Sequence, residues 1–268
     1  MTSTVIAAQA RTFHDHVKCR RSLRLYTQNM FGKYPLAEVG ALLAEPSRVA
    51  MLTVVLDGRR HSAGELAMAA GLSPQAASAH LAKLTNGGLL KVVRLGRRRL
   101  FALARPEVGH ALESLGAMAR TGTPSRSAAK ADTPMRFART CYDHLAGQVA
   151  VGVAQALVRQ GVLRPRGDEY QVLSGGVRWF DDCNIDFAMI RAGRRKLTRQ
   201  CLDWTERKPH IGGALGAALL GRCLSAGWIA RIPNTRAVRI TDSGSRAFRD
   251  LMGFDPLSPR NGPPGTAA

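Results

Sequence analysis

The stretch Ser62–Leu103, SAGELAMAAGLSPQAASAHLAKLTNGGLLKVVRLGRRRLFAL, decides the fold of the N-terminal half of the chain. Apolar residues recur at helical spacing on both sides of Gly71-Leu72-Ser73, which predicts two short amphipathic helices that share a buried face. Gly71 suits the positive φ of a helix end, and Ser73 followed by Pro74 supplies an N-cap and a first-turn proline for the second helix. The pattern predicts a helix-turn-helix.

A β-rich pattern follows the two predicted helices. After Asn86-Gly87-Gly88, the runs LLKVVR and RRLFAL flank the sequence Leu95-Gly96-Arg97-Arg98. Apolar, β-branched runs separated by a short glycine turn predict a β-hairpin. Its tip is basic, because cationic side chains that can neutralise phosphates occur at Arg94, Arg97, Arg98 and Arg99. We interpret this hairpin as the wing of a winged helix-turn-helix.

The second helix of the motif is predicted to lie in a DNA major groove. Its exposed side carries short or flexible polar side chains that could reach base edges or phosphates. Gln75 could pair bidentately with adenine, whereas His80, next to the apolar Leu81, could instead pack or cap. With the wing and the start of an earlier helix included, the predicted DNA-contacting residues are Ser47, Arg48, Ser73, Gln75, Ser78, His80, Lys83, Arg97, Arg98 and Arg99.

The segment from about Leu36 to Ala119 resembles the ArsR-type winged helix-turn-helix repressors of bacteria. The resemblance rests on EPSR at residues 45–48, on ELA followed by GLSPQAASAHLAKL, and on GLLKVVRLGRRRLFAL. It implies a repressor of transcription that binds double-stranded DNA as a homodimer and is released by a metal or small-molecule effector. In such families the helix after the wing commonly pairs with its twin. An apolar stripe that fits this pairing, or simple core packing, is formed by Val108, Leu112, Leu115 and Met118.

Two metal sites familiar in that family find little support in this chain. Where many members carry cysteines, in the helix before the turn, residues 65–70 read ELAMAA, with alanines in place of thiolates. The helix after the wing offers Glu107, His110 and Glu113, which do not converge well on one face. Zinc also prefers more nitrogen or sulfur ligands than this set supplies.

The composition favours a polyanionic partner. The 268 residues include 39 Lys plus Arg against 19 Asp plus Glu, which gives a net charge of +20 and a pI near 11.1. Charge alone fits a solubilising surface equally well, but together with a helix-turn-helix it favours nucleic acid. The alternative to a sequence-specific regulator is a non-specific, architectural nucleic-acid-binding protein.

Other classes of protein find no support in the sequence. It contains no GxSxG elbow, phosphate loop, dinucleotide fingerprint or HExxH motif, so we do not expect an enzyme. No apolar run is long enough to cross a bilayer and no signal peptide is recognised, so we expect a cytoplasmic protein without a membrane partner. The five scattered cysteines are then expected to be reduced.

The second half of the chain contains an internal repeat. Residues 145–163 and 211–229 align at a constant offset of 66, which matches Gly147 to Gly213 and Gly161 to Gly227. Each copy continues into a strand and a glycine-bearing helix start, the order expected of a degenerate winged helix. The helices are apolar rather than basic, which indicates a regulatory or dimerisation domain and not a second DNA reader.

The predicted fold class is mainly α with small antiparallel β-hairpins (α+β). Five segments are predicted along the chain: a flexible basic arm at 1–33, unless translation starts near Met30; a winged helix-turn-helix DNA-binding domain at 34–119; a linker at 120–134; a C-terminal regulatory or dimerisation domain of two degenerate winged-helix-like repeats at 135–254; and a disordered tail at 255–268.

A short echo precedes each copy of the repeat, RTCYD at residues 139–143 and RQCLD at residues 199–203. If the copies pack as a pseudo-symmetric pair, either two cysteines and two histidines or a set of cysteine, histidine and carboxylate could bind a zinc-like divalent metal ion. The predicted ligands are Cys141, His144, Cys201 and His210. Two other interpretations stay open: a redox pair of cysteines near basic residues, and core packing of a cysteine at a recurrent helical position with each aspartate capping a helix.

Overall fold

The computed structural model describes residues 36–118 and 133–258. The predicted arm at 1–33, most of the predicted linker and the end of the predicted tail lie outside these residues. Among the helices in the described ranges, none is both long and apolar enough to cross a membrane.

The N-terminal region, residues 36–118, consists of five helices and a three-stranded antiparallel sheet. Its elements are α1 Leu36–Leu43, α2 Pro46–Val55, β1 His61–Ser62, α3 Ala63–Ala70, α4 Pro74–Asn86, β2 Leu90–Leu95, β3 Arg98–Leu103 and α5 Pro106–Met118. The sheet has the order β1-β3-β2, and β2 and β3 form the hairpin. The predicted winged helix-turn-helix is confirmed in this region.

The turn between α3 and α4 has the capping chemistry expected from its sequence. Gly71 ends α3 in the left-handed region with φ 64°, and Ser73 Oγ accepts a hydrogen bond from Ala76 N at the start of α4. Ser62 and Glu65 form a capping box at the start of α3. Both helices therefore have well-defined ends, and their apolar faces join a buried core that includes Met51, Leu52, Leu66, Leu81, Leu84 and Phe101.

The C-terminal region, residues 133–258, runs twice through the order hairpin, helix, hairpin, helix. After α6 Thr133–Phe137, the first run comprises β4 Arg139–Cys141, β5 His144–Ala146, α7 Gln148–Arg159, β6 Leu163–Arg166, β7 Glu169–Val172 and α8 Ser174–Asp182. After α9 Phe187–Ala192, the second comprises β8 Arg199–Leu202, β9 Pro209–Gly212, α10 Gly213–Ser225, β10 Ile229–Arg231, β11 Val238–Ile240 and α11 Asp242–Met252. Each hairpin is a separate two-stranded antiparallel sheet.

One hydrophobic core joins the two runs. Leu157 of α7 and Leu215 of α10 are fully buried in it, together with Phe180 of α8 and Phe248 of α11. Because helices of both runs contribute to the same core, they position their preceding hairpins, β4–β5 and β8–β9, against each other.

The two cysteines lie in a different kind of element from the one that the core-packing interpretation assumes. Cys141 and Cys201 lie on β-strands, not at helical positions. Asp143 lies in the turn of the first hairpin, and Asp203 accepts a hydrogen bond from Gly147 N (2.8 Å), which belongs to the other run. Strands of three or four residues are too short to produce a visible alternation of polar and apolar residues, so the sequence pattern did not indicate them.

Candidate nucleic-acid interface and candidate metal centre

Helix α4 buries one face against the N-terminal core and exposes the other. Its buried side chains are Ala77, Leu81 and Leu84. Three predicted DNA-contacting residues of this helix are exposed, namely Gln75, Ser78 and Lys83. The exposed side also includes Ala79, Ala82 and Asn86, which the sequence analysis did not single out although helical periodicity places them near residue 75.

Other predicted DNA-contacting residues have partners or positions within the protein. Arg48 on α2 donates from Nε to Leu42 O (2.6 Å) and from Nη2 to Ala41 O (2.7 Å), so its guanidinium holds the end of α1. Ser47 is half-buried at the start of α2. His80 is half-buried, and its Nδ1 is buried without a hydrogen-bond partner in the described part of the chain. Fewer of the predicted DNA-contacting residues therefore lie on the exposed face of α4 than the sequence pattern predicts.

The wing ends in a tight turn with a cationic tip. Across the hairpin Arg94 is paired with Arg99, and Leu95 is paired with Arg98. Gly96 adopts φ 58°, which a turn between adjacent strands requires. The tip arginines are all exposed and, within residues 36–118 and 133–258, form no ion pair with a carboxylate; they are Arg94, Arg97, Arg98 and Arg99.

Each of the hairpins β4–β5 and β8–β9 places a cysteine directly opposite a histidine. The strand register pairs Cys141 with His144 and Cys201 with His210. The hairpins meet so that one ligand atom from each of these residues lies within 4.8 Å of the other three. The two Nε2 atoms of the histidines are 3.2 Å apart. The structure thus brings all four predicted metal-ligating residues together.

The cluster is enclosed by protein, and a carboxylate lies behind each imidazole. Three of its residues are buried and Cys201 is half-buried. His144 Nδ1 lies 3.2 Å from Asp143 Oδ1, and His210 Nδ1 lies 3.7 Å from Asp203 Oδ2. A carboxylate facing the second ring nitrogen is typical of histidines that ligate metals, because it orients the ring and fixes the tautomer.

The two thiols of the cluster influence each other's ionisation. A hydrogen bond from Cys141 lowers the pKa of the Cys201 thiol; burial opposes this, and both histidines lower the pKa further. The same hydrogen bond raises the pKa of Cys141, and burial and the charge of Glu113 raise it further. The protein alone therefore favours one thiolate, at Cys201.

A buried ion pair lies behind the cluster and reaches the N-terminal region. Arg139 Nη2 donates to Asp203 Oδ2 (3.1 Å), and Arg139 Nε donates to Oε1 of Glu113 on α5 (3.1 Å). Glu113 Oε1 also accepts hydrogen bonds from Arg236 Nη2 (2.9 Å) and Trp204 Nε1 (3.0 Å). Burial opposes ionisation of Asp203, but the charge of Arg139 and neighbouring hydrogen bonds lower its pKa to about 2.

Arg236 completes the connection between the two regions. Its Nε donates to Leu56 O (2.6 Å) and its backbone N donates to Asp57 O (2.7 Å), both at the end of α2. Thr235 Oγ1 donates to the same carbonyl of Asp57 (2.7 Å). No local sequence signal indicates a role for these residues, because the bonded partners are separated by up to 180 positions.

The helix after the wing does not form a metal site of its own. Glu113 is engaged by two arginines, so it is not available to ligate an ion together with His110 and Glu107. His110 instead lies beside the cluster, with Nδ1 3.6 Å from Cys141 Sγ and Nε2 3.3 Å from Arg199 Nη2. A cavity of about 360 Å³ opens here, lined by Glu107, His110, Tyr142, Asp143, His144, Arg195, Lys196, Arg199 and Gly213.

Comparison with known proteins identifies relatives of this chain. A family model described as a helix-turn-helix domain matches residues 43–93. The HTH-type transcriptional regulator YdfF of Bacillus subtilis (strain 168) is 45% identical over 214 residues, which cover 80% of this chain and 95% of that protein. The HTH-type transcriptional regulator CmtR of Mycobacterium tuberculosis (strain ATCC 25618 / H37Rv) is 38% identical over 80 residues, which cover 30% of this chain and 67% of that protein.

Two solved structures are similar to part of the chain. The cadmium metal-sensor CmtR from Mycobacterium tuberculosis is 34% identical with a TM-score of 0.28, and the match covers 34% of this chain and 94% of that one. A homodimeric winged helix-turn-helix domain from Mycobacterium bovis, described as a possible ArsR-family regulator, is 29% identical with a TM-score of 0.29, covering 31% of this chain and 76% of that one. The 214 residues shared with YdfF are too many to fit within the N-terminal region, so that likeness extends into the C-terminal region. The chain belongs to the family of HTH-type transcriptional regulators, and its N-terminal region is similar to a possible ArsR-family winged helix-turn-helix protein.

Proposed function

We propose that this regulator is a sequence-specific repressor that binds a pseudopalindromic operator as a homodimer and is released by an effector. The observation that carries the proposal is the exposed polar face of α4 beside a wing tip with four exposed arginines. A single recognition helix covers only a half-site, and a two-fold dimer doubles the contacts.

The helix and the wing have different tasks in this proposal. Gln75, exposed on α4, reads a base edge, since an amide side chain can bind adenine bidentately. Lys83 and the arginines of the wing neutralise phosphates, which fixes the register without reading sequence. Ser73 and Arg48 contribute by holding helix ends.

Exposed apolar side chains support the dimer. Leu115 and Met118 of α5 are 50% and 78% exposed, and Leu36 of α1 is 73% exposed. Large apolar side chains in such positions are commonly covered by a partner, and the helix after the wing is the pairing element that the family resemblance implies. A second copy of this chain is the simplest partner.

The C-terminal region is proposed to be the regulatory domain, built from two degenerate winged-helix-like repeats at residues 135–254. The repeated order of hairpin and helix supports this assignment. Its helices α7 and α10 are buried in the core, so they are unsuited to enter a DNA groove. Hydrogen bonds from Arg236 to α2 give an effector bound in this region a contact with the DNA-binding unit. CmtR is named a cadmium metal-sensor, which supports a metal ion as one class of effector.

A binding titration tests the proposal. The full-length protein is titrated against the duplex upstream of its own gene, tiled in overlapping fragments, and against scrambled duplexes of equal composition, at two salt concentrations. A preference of at least about a thousandfold for one fragment is expected of a specific regulator. Equal, strongly salt-dependent binding to all duplexes would instead establish the architectural alternative.

A further inference from the structure

We propose that Cys141, His144, Cys201 and His210 bind one zinc-like divalent metal ion, and that the bound ion lowers the affinity of the protein for its operator. The second half of this statement rests on the proposed function, whereas metal binding does not depend on it. No part of the helix-turn-helix contributes a ligand, so the site belongs to the additional C-terminal domain.

The ligand types and their spacing fit zinc. Zn–S and Zn–N bonds of about 2.3 and 2.0–2.1 Å at tetrahedral angles place ligand atoms about 3.3–3.8 Å apart. In the structure the four atoms lie within 4.8 Å of one another, and the two imidazole nitrogens are 3.2 Å apart. A small contraction of two side chains would therefore complete a tetrahedral site. Two thiolates and two imidazoles also match the preference of zinc, and of cadmium and cobalt at the same geometry.

The orientation of the imidazoles favours a cation over simple packing. Asp143 lies against Nδ1 of His144, and Asp203 lies on the Nδ1 side of His210. Carboxylates are acceptors, so they favour the tautomer with the proton on Nδ1 and a lone pair on Nε2. Both Nε2 lone pairs then face each other across 3.2 Å in a buried site. A metal ion between them satisfies both nitrogens at once, whereas a single Nε2–H···Nε2 hydrogen bond would need the other tautomer on one ring and would turn the Nδ1 lone pair of that ring towards a carboxylate.

The folding pattern explains how the chain builds such a site from two distant segments. In each hairpin the cysteine and the histidine are cross-strand partners, so each hairpin supplies one sulfur and one nitrogen. The hairpins are held together by the core beneath α7 and α10. Both runs are therefore needed to form the site, because each run supplies only two of the four ligands.

The same hairpins carry the groups that touch the DNA-binding unit. Arg139 stands two residues before Cys141 on β4, and Asp203 stands two residues after Cys201. The ion pair between Arg139 and Asp203 therefore spans the hairpins beside the metal site, and Arg139 also binds Glu113 of α5. A metal ion that fixes the spacing of the hairpins fixes the position of this ion pair, and with it the contact to α5, the predicted dimer helix. Affinity changes of about 5- to 150-fold are typical of such coupling.

Metal binding is tested with Co²⁺ as a spectroscopic probe on the full-length protein, reduced and stripped with chelator. We expect one Co²⁺ per chain, with the visible bands of a tetrahedral ion and a thiolate charge-transfer band, both displaced by Zn²⁺. Cys201→Ser should weaken binding by more than about a hundredfold, since even loss of outer-shell partners costs ten- to a hundredfold. The matched control, Cys183→Ala, removes a buried cysteine at the C-cap of α8, outside the cluster, and should bind as the parent does.

A ligand exchange separates metal ligation from a folding defect. His210→Cys keeps four ligands, so it should still bind Co²⁺ and should raise the charge-transfer intensity by about half as three thiolates replace two. Absence of tetrahedral bands in the parent, or a mass two units lower that identifies a bond between the two cysteines as the resting state, would overturn the metal site in favour of a redox pair.

The regulatory half is tested with the operator fragment found by titration, with and without one equivalent of Zn²⁺. Parent and Cys183→Ala should lose affinity on adding Zn²⁺, and Cys201→Ser should bind DNA equally in both conditions. Tetrahedral Co²⁺ binding with an unchanged operator affinity would overturn regulation by the metal but leave the site intact. Metal binding by a protein that prefers no duplex would contradict the proposed function and not the site.

Discussion

Arg139 and Asp203 form a buried ion pair, with 3.1 Å between Nη2 and Oδ2, that joins the first and third hairpins of the C-terminal region. Their side chains are 1% and 0% exposed. The same guanidinium binds Glu113, so three charged groups from distant parts of the sequence meet in a buried site. The position of α5 relative to the C-terminal region is therefore set by charge pairing as well as by apolar contact.

Removing one partner of this pair is expected to be strongly destabilising. Asp203→Asn leaves Arg139 with a single carboxylate partner, and breaking a buried pair costs about 3–5 kcal/mol. Urea unfolding of the full chain, followed by tryptophan fluorescence, measures the change. Lys196→Ala removes two exposed ion pairs, to Asp168 and Glu169, in the same region and serves as the control, with no measurable change expected. Equal effects of the two substitutions would mean that the buried pair has no special role.

The pair of His61 and Asp57 should make stability depend on pH near neutrality. His61 Nε2 lies 3.1 Å from both carboxylate oxygens of Asp57. The hydrogen bond to Asp57 raises the pKa of His61, and burial of the imidazole opposes this rise. The charge of Glu65 also raises the pKa of His61, whereas the charge of Arg59 lowers it. A raised pKa in the folded state means that the stabilisation is complete below about pH 6.5, the unfolded value, and is lost as the pH rises through the folded pKa.

We therefore expect the contribution of this pair to the urea midpoint to be lost as the pH rises from about 6.5 to about 8 in the parent. His61→Asn cannot titrate in this range and should have a flatter profile. The comparison of the two slopes isolates this histidine from the others. Identical slopes would show that the pair with Asp57 contributes nothing to the pH dependence.

Base reading and phosphate binding should respond to different substitutions. Gln75→Ala is expected to lower operator affinity by about 1–3 kcal/mol while leaving affinity for scrambled DNA nearly unchanged. The double change Arg97→Ala, Arg98→Ala should weaken binding to both duplexes and reduce the slope of log affinity against log salt by about two. Fluorescence anisotropy at several salt concentrations measures both effects.

The control for the wing is a second pair of hairpin arginines. Arg164 and Arg166 on β6 are exposed and lie in the C-terminal region, so Arg164→Ala, Arg166→Ala alters the net charge equally. This control should leave the salt slope nearly as in the parent. A slope that falls equally in both double variants would mean that binding depends on net charge and not on the wing.

The helix-turn-helix could be predicted because its determinants are local. Gly71, Ser73 and Pro74 specify the turn and both helix ends within four positions, and the apolar spacing specifies the buried faces. The cationic wing tip follows from two short β-rich runs around a glycine turn. Where local signals and tertiary packing agree in this way, the sequence pattern alone predicts the element.

The Cys/His cluster could be predicted as a set of residues but not as a geometry. The cysteines are offset by 60 positions and the histidines by 66, because two residues separate Cys141 from His144 and eight separate Cys201 from His210. Because the two offsets differ, an alignment of the two copies does not show that each cysteine is the cross-strand partner of a histidine in its own hairpin. The network around Glu113 was not predicted at all, since its partners lie 26 and 123 positions away and charge patterning is read only over short windows.

The apolar stripe of α5 supplies the last prediction, on the oligomeric state. Leu115 and Met118 are exposed on the helix that also holds Glu113, so the proposed dimer contact and the contact to the C-terminal region share one element. Leu115→Glu together with Met118→Glu places two carboxylates where a second copy would pack, and unpaired charges in an apolar contact are strongly unfavourable. We expect a monomer by light scattering coupled to gel filtration, with weakened operator binding because only one half-site is engaged. Met68→Glu on α3 alters a methionine that is 81% exposed outside the stripe, and it should leave the oligomeric state as in the parent. A dimer that persists in the α5 double variant would assign pairing to another surface.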